Sequence, residues 1–130
     1  MFVRVDHVEL VTWDFERSLL FYVDVLGFQV VERMLLQNGP LKEIAYLRLG
    51  DDVIELMSYE GVAEASTAPV AGWRAIALEV ESMEATVAHL SDKSVALTWG
   101  PMDLGNSIRA EITDPDGVAI ELREWRQRPW

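Results

Sequence analysis

Between residues 2 and 12 apolar and polar positions alternate along a β-branched stretch. Val5, His7, Glu9 and Val11 fall on one side, and Asp6, Val8, Leu10 and Thr12 on the other. A period of two predicts a strand. After Asp14, a residue suited to capping a helix, Leu19, Leu20, Phe21, Val23 and Leu26 recur at helical spacing, and Gly27 stands where such a helix closes. Residues 28–36 read as a second strand, Asn38-Gly39-Pro40 as a turn and 41–49 as a third strand. Residues 50–52 form another turn, and 53–59 a fourth strand. The first half is therefore βαβββ.

Residues 61–72, with Ser66-Thr67-Ala68-Pro69 at their centre, are small and polar and read as a linker. The pattern then restarts. Residues 73–80 predict a strand, and Ser82 caps a helix through residue 90 with Met83, Val87 and Leu90 along one side. Residues 94–99 predict a strand, 100–105 a Gly/Pro loop, 106–113 a strand and 118–125 the last strand, before a basic, aromatic tail. Superposing the halves puts His7 on Ala75, Leu10 on Leu78 and Glu16 on Glu84, an offset of 68 residues. Ile54-Glu55-Leu56 falls on Ile120-Glu121-Leu122 at an offset of 66. One loop of the second half is thus two residues shorter, and the chain is a tandem repeat.

The fold class expected is α+β: one domain over residues 1–130, made of two βαβββ modules at about 2–60 and 73–125 joined by linker 61–72. A single helix covers only one face of each four-stranded sheet. Two such sheets facing each other would enclose a cup-shaped cavity lined by alternate strand residues.

Composition excludes several function classes. Eleven basic residues against twenty-two acidic give a net charge of −11, which repels nucleic acid phosphates and anionic membrane surfaces. No apolar run approaches the roughly 18 residues that span a bilayer. The absence of cysteine removes disulfide scaffolds, thiolate metal sites and thiol nucleophiles. Met1-Phe2-Val3-Arg4 runs straight into strand-like sequence without the basic and apolar segments of a secretory leader, so a cytoplasmic location is expected.

The candidate chemistry lies on the repeated strands. In Thr113-Asp114-Pro115-Asp116-Gly117, Pro115 presets a turn and Gly117 supplies its positive-φ position; Val118-Ala119-Ile120-Glu121-Leu122 then carries a carboxylate mid-strand. Such a carboxylate either points to water or has a cation or donors waiting for it. His7, Glu55, Ala75 and Glu121 are equivalent central-strand positions, and three of the four are able to ligate a metal. One imidazole with two carboxylates suits Fe(II), Mn, Ni, Co or Zn, with water or substrate at the remaining positions. The plain alternative for His7 is a half-buried strand histidine bonded to a neighbour. His89, on the second helix, is read as a solvated residue.

Several phrases together resemble the vicinal oxygen chelate superfamily, the glyoxalase, bleomycin-resistance and dioxygenase family. They are Val5-Asp6-His7-Val8, the helix end Phe21-Tyr22-Val23-Asp24-Val25-Leu26-Gly27-Phe28, and the closing Thr113 to Leu122 turn and strand. The resemblance implies a metal held through His7, Glu55 and Glu121, with a fourth ligand position that falls on Ala75, which ligates nothing. It implies a metal-dependent lyase, isomerase or epimerase acting on a small oxygenated metabolite, with Glu121 and Glu55 moving protons. The expected cofactor is a divalent ion (Mn, Mg, Fe, Ni, Co or Zn), the missing imidazole favouring the harder ones. Glu9, on the same strand side as His7, is a further candidate beside the metal, and Glu9, Arg48, Trp99 and Arg109 are candidates for substrate contact. The alternative is a metal-free cup that sequesters a bleomycin-type antibiotic or another cationic or aromatic ligand. There the carboxylates would bind the cation, and Trp13, Phe15, Tyr46, Trp73 and Trp99 are candidates for stacking. A homodimer is implied in either case, and five tryptophans in so small a chain fit an aromatic interface.

Overall fold

A computed structural model describes residues 1, 3–63 and 71–130, in two compact units, Met1–Glu64 and Ala65–Trp130. Each unit is one βαβββ module, as the repeat requires.

In the first unit, β1 (Val8–Thr12) leads to α1 (Phe15–Leu20), which continues as a π-helical turn over Phe21–Val25. β2 (Gln29–Leu35), β3 (Leu41–Leu49) and β4 (Asp52–Tyr59) follow. The sheet order is β1-β4-β3-β2, with β1 parallel to β4 and the other pairs antiparallel. Asp14 caps α1 as expected, its side chain accepting from the Arg17 amide. The helix covers one sheet face. Tyr22 is fully buried, edge-on to Phe21 and Phe28, and Ala45, Leu47 and Leu56 are closed off from water. A buried hydrogen bond of 2.6 Å between the Thr12 and Ser18 hydroxyls ties β1 to α1.

The second unit repeats this with β5 (Ala75–Glu79), α2 (Met83–Asp92), β6 (Trp99–Asp103), β7 (Ser107–Thr113) and β8 (Ala119–Trp125), in the sheet order β5-β8-β7-β6. Ser82 caps α2 by accepting from the Ala85 amide, and Met83 and Leu90 are buried on the side that the spacing selects. The Met83 amide also donates to Glu124 on β8 at 2.6 Å. The turn before β8 forms as read: Asp114 Oδ1 accepts from the amides of Asp116 and Val118, and Gly117 has φ of 84°.

Three expectations need correction or qualification. The first strand begins at Val8, not residue 2, because its parallel partner β4 starts only at Asp52 and leaves residues 3–5 no ladder to join. Phe2 lies outside the described residues. The strand expected at 94–99 and the loop at 100–105 are displaced. Ser94 and Val95 close α2 through bonds to Ser91 and Leu90, and the strand runs Trp99–Asp103 through Gly100 and Pro101. Proline is tolerated there because β6 is an edge strand, and its register with β7 slips between Trp99 and Met102. Of the expected linker, residues 64–70 lie outside the described residues. Among the described residues no helix is long and apolar enough to cross a membrane.

Candidate functional site

In the first unit the face of the sheet opposite α1 carries a polar row. Glu32, Tyr46, Glu55 and Glu9 are successive cross-strand partners over β2, β3, β4 and β1, so alternation brings all four out on one side. His7 stands two residues before Glu9 and shares that side. Its Nε2 lies 3.0 Å from Glu55 Oε2 and 3.9 Å from Glu9 Oε1. Its Nδ1 lies 3.0 Å from Asp6 Oδ2. Glu55 is only 6% exposed, an unusual depth for a carboxylate, and Tyr46 donates a hydrogen bond to it. The Tyr46 ring meets the His7 ring edge-on at 6.2 Å.

The electrostatics follow from this crowding. The hydrogen bond to Asp6 raises the His7 pKa above the ordinary imidazole value; partial burial opposes it, and the charges of Glu55, Asp6 and Glu9 add to it. The charge of Glu55 raises the Tyr46 phenol, as do burial and the hydrogen bond to Glu55, so Tyr46 stays protonated and donates. One donor atom each from His7, Glu9 and Glu55 fall within 4.8 Å of one another. That set fits a divalent cation chemically: an imidazole nitrogen and two carboxylate oxygens, with Asp6 fixing the other ring nitrogen as outer partners of ligating histidines do.

The second unit places Glu121 differently. Its Oε1 accepts from Arg123 (Nε at 3.0 Å, Nη2 at 2.5 Å) and its Oε2 from Arg109 Nε at 2.9 Å, with Arg74 Nη2 at 3.7 Å. Glu111, the cross-strand partner of Glu121, pairs with Arg109 and Arg74. The Arg109 guanidinium lies over the Trp99 ring at 4.8 Å, and that of Arg123 over Trp125 at 5.0 Å. Ala75 and Ala77 occupy the positions matching His7 and Glu9, since Ala77 pairs with Glu121 as Glu9 pairs with Glu55.

Of the residues singled out beforehand, His7, Glu9 and Glu55 therefore come together within the first unit, and Glu121, Arg109 and Trp99 within the second. Arg48 bonds Gln29 at 3.3 Å and lines a shallow pocket of about 280 Å³ with Gly27, Leu49 and Gly50. Phe15 is a core residue beneath Arg33. Sequence reasoning missed Asp6, Glu111 and Arg123, and valued Tyr46 only as a stacking ring. Arg123, two positions after Glu121, was available from the same alternation that marked Glu9.

The match to a family model decides the lineage: residues 4–122 fit that of the Glyoxalase/Bleomycin resistance protein/Dioxygenase superfamily. The chain belongs to this superfamily. A probable lactoylglutathione lyase from Synechocystis sp. is 32% identical over 122 residues, covering 89% of this chain and 91% of that protein. The protein YwkD of Bacillus subtilis is 31% identical over 122 residues, covering 92% and 95%. Among solved structures, a glyoxalase family protein from Enterococcus faecalis superposes with a TM-score of 0.80 at 25% identity, covering 95% of this chain and 98% of that one. Superfamily membership accounts for the module repeat.

Proposed function

We propose that this superfamily member is a divalent-metal-dependent lyase or isomerase acting on a small substrate with neighbouring oxygens. The observation that carries the reading is the convergence of His7, Glu9 and Glu55 donor atoms within 4.8 Å on one sheet face. A bound divalent ion would supply Lewis acidity toward the substrate oxygens. Asp6 orients the imidazole, Tyr46 steadies Glu55, and Glu55, buried yet accessible to the polar face, is the group to take up and return a proton. Of the two carboxylates expected to move protons, Glu55 is the one this reading keeps. The reaction named for relatives, lactoylglutathione lyase, is the natural first assay. The sequestering alternative draws less support, because the face of Trp99 already carries a guanidinium group and Phe15 is buried in the core. A cytoplasmic homodimer belongs to the same proposal, its dimeric state to be checked by light scattering.

The test is S-lactoylglutathione formation from methylglyoxal and glutathione, before and after chelation and with Mn²⁺, Ni²⁺ or Zn²⁺ restored. The expected result is activity that disappears with the metal, returns with it, and falls by about 10²–10⁴-fold in Glu55→Gln. Activity indifferent to both chelator and substitution would defeat the reading.

A further inference from the structure

We infer that Glu9 takes the place of the missing imidazole as third metal ligand, and that Glu121 serves as an anchor for arginine instead of a ligand. This rests on the metal reading above and assigns its donors differently from the family resemblance.

Register carries the first half. Glu9 and Glu55 are direct partners across the parallel β1–β4 pair, and His7 shares their side, so adjacent strands of one module supply a nitrogen and two carboxylate oxygens. Glu55, buried and bonded by Tyr46, and the half-buried His7, bonded by Asp6, form the fixed part. The Glu9 side chain, 62% exposed, has the freedom to swing from its present 3.9 Å onto an ion held by the other two. Matching positions in the second module offer two alanines, Ala75 and Ala77.

Comparison of the modules carries the second half. In β3 and β4 the residues flanking Tyr46 and Glu55 on the same face are Ile44 and Met57, a cross-strand pair. The corresponding pair in β7 and β8 is Arg109 and Arg123, and these are the two groups that occupy both oxygens of Glu121. Recruiting Glu121 to an ion would strip a half-buried carboxylate of two charge-assisted partners and leave their guanidinium groups facing the incoming cation. Among the described residues Glu9 pairs with no arginine, and its neighbour at 3.9 Å is His7, its fellow ligand.

Full-length protein is stripped with chelator, desalted and titrated with Mn²⁺, a hard ion suited to one nitrogen and two oxygens, while the spin-resonance signal of free Mn²⁺ reports binding. His7→Ala and Glu9→Gln are expected to weaken binding roughly tenfold or more, and Glu121→Gln by less than Glu9→Gln. A loss in Glu9→Gln that does not exceed that in Glu121→Gln overturns the inference. So does an unchanged water-proton relaxivity per bound Mn²⁺ in Glu9→Ala, a measurement independent of whether Glu121→Gln folds, since removing a ligand admits a water. If the wild type binds no ion, or His7→Ala binds as well as the wild type, the underlying metal reading fails and this inference with it.

Discussion

Asp6 engages one ring nitrogen of His7 while Glu55 lies against the other, so in metal-free protein the imidazolium is favoured and the folded His7 pKa stands above its ordinary 6.5. The sign follows from linkage: this contribution to stability is fully present below the unfolded value and is lost as pH rises through the folded one. Asp6→Asn removes the largest cause and narrows that window from above. A proton NMR titration of metal-free protein is expected to show the His7 midpoint falling toward the ordinary value in Asp6→Asn, and an unmoved midpoint would contradict the pairing. At this scale the meeting of His7 with Glu55 was legible in the sequence, because the alternation of β1 carries on to the residue just before it and fixes which side that residue takes. The clamp on Glu121 was not. A sequence shows an arginine two positions away without showing whether its long, flexible side chain turns back to the carboxylate or out to solvent.

Gly39, at a turn tip, and Gly100, in a strand, both have positive φ, 88° and 75°. They differ in their surroundings. A Cβ on Gly39 meets nothing within 4 Å, whereas one on Gly100 would stand 2.6 Å from the Arg109 carbonyl oxygen and 3.1 Å from Ala110 Cα. Both alanine substitutions carry the strain of that backbone region, about 1–3 kcal/mol. Gly100→Ala must in addition push β6 off β7. Urea midpoints are expected to fall further for Gly100→Ala than for Gly39→Ala, and equal falls would contradict this close approach. The same glycine explains the misplaced sixth strand: Gly-Pro is a turn signal in most chains, and only the edge position with its slipped register makes it strand here. Caps, helix faces and the Asp114 to Gly117 turn were legible because each is settled by a few neighbouring residues. The start of the first strand was not, since it depends on where a partner nearly fifty positions away begins.

The two modules keep one backbone plan and divide the charges unequally. Met1–Glu64 holds five basic against twelve acidic residues, and Ala65–Trp130 six against ten. In the first module the acids on the polar face converge with a histidine, and a bound cation would relieve their mutual repulsion. In the second, arginines of the chain itself already do so around Glu111 and Glu121. The repeat was legible as a whole, but this division was not, because it is set by which side chains meet across strands. A ligand that binds only the folded state stabilises it by about 2.7 kcal/mol at a hundredfold excess over Kd. If the donors all belong to one module, that stabilisation is local before it is global. Hydrogen exchange with and without Mn²⁺ is therefore expected to show added amide protection along β1, β3 and β4, with β5, β7 and β8 unchanged wherever exchange proceeds by local opening. Protection gained equally along β8 would mean that Glu121 had left its arginines to join the ion, and the division of labour between the modules would have to be redrawn.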